Sequence, residues 1–184
     1  MDQYASIEIV PHRASWKRDF ELIAAVLRDG LGELALAIDH IGSTSVPGLS
    51  AKDIIDVQVT VAALDARVVA AFEKLGYVRV PGIARDHRPP DATGPDGDWE
   101  KLYFRAPPGQ RRTHTHVRVH GRPNQRYALL FRDFLIAHPD TAAAYGELKR
   151  RLAASLRDPN DYPDVKDPAC DLIYFAARRW ASDR

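Results

Sequence analysis

The stretch Ile54 to Thr60, IIDVQVT, constrains the fold more than any other part of the chain. At the period of two that a strand imposes, Ile55, Val57 and Val59 point one way, and Ile54, Asp56, Gln58 and Thr60 point the other. The first face is hydrocarbon and belongs against a core. The second carries a carboxylate and an amide, which a dry interior accepts only with partners. A second stretch makes the same demand. In RRTHTHVRVH, Arg111 to His120, alternation gathers His114, His116, Arg118 and His120 on one face and Thr113, Thr115, Val117 and Val119 on the other. In the strand before it, Lys101, Tyr103 and Arg105 share a face. If these two strands are neighbours, positive charge collects around the histidines, with Arg111 and Arg112 adding to it from the turn or simply solvated.

The remaining elements follow from periodicity and turn chemistry. Ser6 to Val10 reads as a short extended segment ended by Pro11. Apolar residues at Trp16, Phe20, Ile23, Ala24 and Leu27 predict a helix capped by Ser15 and stopped by Gly30 and Gly32. Strands are predicted at Leu36–Ile41, Asp53–Thr60, Tyr77–Val80, Trp99–Arg105 and Thr113–His120, with a helix over Ala62–Leu75 closed by Gly76. Between them lies PGIARDHRPPDATGPDGD, Pro81 to Asp98, with four prolines and three glycines. A loop of that length is a lid, a binding loop or a disordered segment. After Pro123 only helices are predicted, at Tyr127–Ala137, Thr141–Leu156 and Pro168–Trp180. A sheet with strands and helices alternating early and helices dominating late is an α/β or α+β architecture with a helical C-terminal layer. The sheet part covers about residues 7–122 and the helical part about 123–182. Trp16, Trp99 and Trp180 read as packing residues, and Arg126, Arg132, Asp133 and the run Glu147 to Arg151 as helix-surface charges.

Composition narrows the function classes. The 184 residues are 45% hydrophobic and carry a net charge of +1, so no global field draws the protein to nucleic acid or to a membrane surface. An anion would have to be held by a local cluster of Lys and Arg. The single cysteine, Cys170, excludes an intramolecular disulfide and a cysteine-based zinc site, and its helical setting reads as core. The segment MDQYASIEIVPHR lacks a basic region followed by an apolar one, and no apolar run approaches the roughly 20 residues of a membrane span. A cytoplasmic protein is expected.

Gly42-Ser43-Thr44-Ser45 offers three hydroxyls and a flexible backbone after a strand, a turn able to cradle phosphate. It is not a P-loop, since Leu49 follows Gly48 where Lys and Ser or Thr would stand. Asp56 is then either a solvated strand carboxylate or a Mg²⁺ ligand beside that turn. The row His114, His116 and Arg118 suits phosphate contact, metal coordination or proton transfer. Tyr162 and Lys166, four apart, would share a helix face that could bring Lys166 towards the site.

HIGSTSVPGLSAKDIIDVQV, followed in order by KLYFR, THTHVRV, LLFRDFLIAHPDTAAAYGELKRRLA and DYPDVKD, resembles the GrpB-like family of the nucleotidyltransferase superfamily from about Ile7 to Trp180. The resemblance implies an α+β fold with a mixed sheet flanked by helices. It implies that Gly42, Ser43 and Thr44 hold phosphates and that Asp56 is the first carboxylate of an Asp-x-Asp pair binding Mg²⁺. The second position of the pair is Gln58, which is neutral, and the later strand that carries a third carboxylate in the superfamily offers His114 and His116 instead. The loop from Arg85 to Asp98 reads as an insertion. The function implied is a nucleotidyltransferase-like enzyme that binds a nucleotide or other phosphorylated small molecule with a divalent metal and acts on a small acceptor. Asp56, His114 and His116 would be catalytic. Gln58, Lys101, Tyr103, Arg105, Arg118 and Lys166 would line the ligand site. The alternatives are a non-catalytic phosphate-binding module and an enzyme using His114 or His116 for acid/base chemistry without a nucleotide.

Overall fold

The computed structural model describes residues 7–184. Five strands, β1 (Ala37–Ile41), β2 (Ile55–Val61), β3 (Val78–Arg79), β4 (Leu102–Arg105) and β5 (Thr113–Val119), form one sheet in the order β1-β2-β5-β4-β3. β2 and β5 run parallel at the centre, and every other pair is antiparallel. The register sets Asp56 opposite His114 and Gln58 opposite His116. Across the next pair it sets Tyr103 opposite His116 and Arg105 opposite His114. The alternation read in the sequence is thus carried sideways through three adjacent strands.

Two helical layers cover the sheet. Against its apolar face lie α1 (Ser15–Leu31) and α2 (Ala66–Lys74), where Ile55, Val57, Val59 and Val61 pack with Trp16, Leu27, Leu31, Val68 and Phe72. Phe104 enters the same core and stacks on Phe72 at 4.2 Å between ring centroids. On the polar side stand α3 (Pro123–Ala137), α4 (Pro139–Ser155) and α5 (Tyr162–Ser182). They hold their own cluster, in which Phe134, Leu135, Ala142, Tyr145, Cys170 and Ile173 pack with Val46 and Leu49 from the segment after β1. The polar sheet face is therefore roofed but not filled.

Several predicted boundaries shift for identifiable reasons. Ser6 lies outside the described residues, and the segment after it contributes only a bridge from Val10 to Ala51. Ser15 is not the cap of α1; Ala14 precedes the helix and no side chain caps it. Gly30 does not stop that helix either, because it lies in the last turn, where a Cβ would run into the Leu75 side chain. α2 starts at Ala66 rather than Ala62, since β2 continues to Val61 and Asp65 Oδ1 accepts from the Arg67 and Val68 N–H groups at 3.0 and 3.2 Å. α5 begins at Tyr162, not Pro168. Pro168 sits inside it, giving up one helical hydrogen bond while the flanking turns hold. Trp99 belongs to a 3-10 turn (Asp96–Trp99) before β4 and is buried, as is Trp16.

Replacing Phe104 with Ala empties the centre of the apolar layer, where the ring is fully buried. The expected loss is about 3–5 kcal/mol of unfolding free energy, read by urea denaturation, and a loss below about 1 kcal/mol would contradict this packing.

Candidate functional site

Between the polar sheet face and α3–α5 lies a cleft of about 460 Å³, within the range of small-molecule sites. Its floor is the sheet. Gly42 and Ser43 form one rim, Ile83, Asp86 and His87 of the long loop form another, and Tyr127, Phe131, Tyr145 and Tyr162 supply apolar wall. Five cationic side chains line it (Lys52, Lys101, Arg118, Lys149 and Lys166) against three carboxylates (Asp56, Asp86 and Asp167).

The Gly-Ser turn is held hard against Asp56. Gly42 has φ +68°, and a Cβ there would collide with the Asp56 carboxylate, so glycine is required on both counts. Of the three hydroxyls in the turn, only that of Ser43 opens to the cleft. Thr44 is buried with its hydroxyl 3.0 Å from His40 Nε2, and Ser45 Oγ donates to the Gly42 carbonyl at 2.6 Å. Ser43 Oγ in turn accepts from Lys149 Nζ at 2.7 Å, and the same ammonium donates to the Ser50 carbonyl at 2.6 Å.

Asp56 Oδ1 lies 3.2 Å from His114 Nδ1. The carboxylate thereby orients the imidazole and leaves Nε2 for a proton. His116 is set the opposite way. Its Nδ1 faces Lys101 Nζ at 3.2 Å and Arg118 Nη2 at 3.3 Å, two donors that carry no lone pair to offer. It must accept there, so it carries its proton on Nε2. Burial first, and then Lys101 and Arg118, hold His116 well below the ordinary imidazole range, so this ring stays neutral.

The charge on Lys101 and Arg118 is met by Asp86. Arg118 Nε and Nη2 donate to its two oxygens at 2.8 Å each, Lys101 Nζ stands at 2.5 Å, and Asn124 Nδ2 donates at 3.0 Å. Burial works against the carboxylate's charge, but Arg118 and Lys101 override it and hold Asp86 far below the usual carboxylate range. Gln58 completes this layer beneath the cleft, fully buried, accepting from Arg118 Nη1 at 2.7 Å and donating to the Gln125 carbonyl at 3.2 Å.

The structure thus brings Gly42, Ser43, Asp56, Lys101, Tyr103, His114, His116, Arg118 and Lys166 to one cleft. It sets three predicted ligand residues elsewhere. Thr44 and Gln58 lie below the surface, spent on His40 and Arg118. Arg105 is exposed and faces a separate, smaller hollow formed with Pro107, Gly109 and Arg112. Arg111 is not solvated: it donates to Asp19 at 2.9 Å and to the Asp53 carbonyl at 3.0 Å, away from the histidines. Arg132 is no surface charge either, since Nη1 donates to the His40 carbonyl at 3.0 Å. Lys149, predicted as part of a solvated run, is 3% exposed. The residues that sequence reasoning missed are Lys52, Asp86, Asn124 and Lys149.

Mg²⁺, implied by the superfamily resemblance, finds a poor donor set. Asp56 is one carboxylate beside an imidazole and near ammonium groups, the second carboxylate position is an engaged Gln58, and Asp86 is consumed by Lys101 and Arg118. Among the described residues no three His, Cys, Asp or Glu side chains converge as metal ligands. Asp56 is thus the one carboxylate of this set left for a metal, and the other ligands of Mg²⁺ would be water and ligand phosphates.

A mixed five-stranded sheet with this cleft on its polar face defines an α+β protein of nucleotidyltransferase-like architecture. The chain belongs to the GrpB family: the family model described as GrpB protein matches residues 6–175. The crystal structure of the conserved protein GrpB from Enterococcus faecalis has a TM-score of 0.74 and 30% identity, covering 94% of this chain and 99% of that one. The chain is 38% identical over 195 residues to a dephospho-CoA kinase of Mycolicibacterium paratuberculosis, covering 96% of this chain and 47% of the relative. It is 34% identical over 179 residues to the UPF0157 protein YqkA of Bacillus subtilis, covering 97% and 49%. The chain spans about half the length of these two relatives. No helix among the described residues is long and apolar enough to cross a membrane.

Two half-buried imidazoles set the response to acid. Burial above all pushes His40 down to about 4, and His116 lies well below the ordinary value. Their unfolded counterparts titrate near 6.5, so below that pH the unfolded chain takes up protons that the folded one refuses. This contribution to stability is whole above about pH 6.5 and is lost as the pH falls, for His40 down to about 4. Urea midpoints are expected to drop between pH 7.5 and pH 5; a level or rising midpoint would contradict the assignment of both rings as neutral.

Proposed function

We propose that this protein binds a nucleotide or another phosphorylated small molecule in the cleft and transfers a nucleotidyl or phosphoryl group from it to the hydroxyl of a small acceptor. The observation that carries this reading is the meeting, in one cleft, of the Gly42-Ser43 turn, the Asp56–His114 pair and an excess of cations. Asp56 accepts the Nδ1 proton of His114, so that Nε2 can take the proton of an acceptor hydroxyl. The freed oxygen attacks phosphorus, and the bond to the leaving phosphate oxygen breaks with its electron pair. His116, fixed as an Nε2–H donor, suits a non-bridging phosphate oxygen, and the lysines suit the charge that builds on the leaving group. A divalent metal, where it takes part, would arrive with the ligand's phosphates.

The mycobacterial relatives carry the name of a phosphoryl-transfer enzyme, which supports a phosphorylated ligand. The chain has no G-x-x-x-x-G-K-[ST] loop to support the kinase activity itself. Gln58 and the engaged Asp86 favour a second reading, a phosphate-binding module without turnover.

Release of pyrophosphate or of nucleoside diphosphate from each nucleoside triphosphate, in the presence of a pool of small hydroxyl acceptors, separates the two. Turnover that falls about 10²–10⁴-fold in Asp56→Asn, with nucleotide affinity kept within about tenfold, is the expected result. Ligand binding by the wild-type protein without release under any condition would assign the binding module instead.

A further inference from the structure

Three lysines reach the cleft from three separate elements. Lys52 lies on the segment before β2 with its ammonium over the Tyr162 ring at 5.0 Å. Lys149 descends from α4, buried, over the Tyr145 ring at 4.7 Å and onto Ser43. Lys166 rises from the second turn of α5, its Nζ 3.2 Å from Cys170 Sγ and 3.7 Å from Asp167. Resting on the reading of the cleft as a phosphorylated-ligand site, we infer that this lysine corner is a metal-independent subsite for the terminal phosphate of the ligand.

The donors gathered at this corner suit a phosphate. The other two cations of the cleft, Lys101 and Arg118, are committed to Asp86 within a closed buried network. Of the carboxylates that line the cleft among the described residues, Asp56 and Asp167 belong to the lysine corner, and Asp56 is shared with His114. Like charges brought together under a low-dielectric roof repel one another. Burial and then Lys166 push Lys149 down to about 7, and burial with Lys166 likewise lowers Lys52 against the opposing pull of Asp56. A carboxylate ligand brings two acceptor oxygens to these donors. A terminal phosphate brings close to two negative charges and three acceptor oxygens, enough to meet three ammonium groups and the Ser43 hydroxyl together. Lysines, as point charges on flexible stems, suit the rotating end group of a polyphosphate better than a fixed internal phosphate.

Asp56 supplies the discriminating sign. A carboxylate that serves the ligand through a metal helps binding, whereas one that merely neighbours the lysines opposes a phosphate.

Titration calorimetry with ATP and with pyrophosphate, each in EDTA and in Mg²⁺, tests this on the full chain. Expected are affinities in EDTA within about tenfold of those in Mg²⁺, a loss of about tenfold or more in Lys52→Met and in Lys166→Met, and equal or tighter binding in Asp56→Asn. Melting curves check that each variant is folded. Binding that requires Mg²⁺, falls in Asp56→Asn and is unchanged in both lysine variants would overturn the lysine subsite while leaving the phosphorylated-ligand reading intact. Absence of binding by the wild-type protein in either medium would overturn both.

Discussion

The ion network around Asp86 is the interaction on which the rest of this structure depends. A sheet face that carries Arg118, Lys101 and two imidazoles side by side cannot be roofed by helices unless its charge is met. Breaking a buried pair by removing one partner typically costs about 3–5 kcal/mol, because the other charge is left stranded. Asp86 meets two cations at once and takes a further hydrogen bond from Asn124 at the start of α3. One carboxylate therefore ties the long loop, the sheet and the helical layer together. It also fixes His116 as a neutral donor, since Lys101 and Arg118 are then held where only an acceptor can face them.

With that network closed, the cleft divides into two parts of different character. At the β5 side Lys101, His116 and Arg118 all have protein partners, and the site there is a preorganised floor. At the α4–α5 side three lysines face two carboxylates, one of which also serves His114. The Gly42-Ser43 turn rims the lysine end. The absence of a Cβ on Gly42 lets the turn pack directly against the Asp56 carboxylate, which sets Ser43, Asp56 and His114 side by side.

The strand alternation was legible because it depends only on neighbours two residues apart. Asp56, His114, His116 and Arg118 fall on one face in the sequence and in the structure alike, and the parallel register of β2 and β5 then sets them side by side. The placement of Asp86 was not legible. It sits in a stretch whose prolines and glycines read as an open loop, and only tertiary contact reveals that the loop docks through Asp86 and through His87, whose Nε2 stands 2.9 Å from Asp171. Lys149 was hidden for a different reason. In a charge run such as AYGELKRRL the helix period alone cannot say which face is buried, and the run Glu147 to Arg151 contains both an exposed ladder around Glu147 and the buried Lys149. Arg105 shows the converse error. It shares the face of Tyr103, but β4 ends there and its side chain passes beyond the cleft.

A crystal structure of the protein with a non-hydrolysable nucleoside triphosphate analogue, grown without divalent metal, tests the central claim most directly. The expected result is a terminal phosphate within hydrogen-bond distance of the ammonium groups of Lys52, Lys149 and Lys166, with Asp86 still seated on Arg118 and Lys101. Phosphates lying on Arg118 with Asp86 displaced, or a ligand outside the cleft altogether, would contradict it.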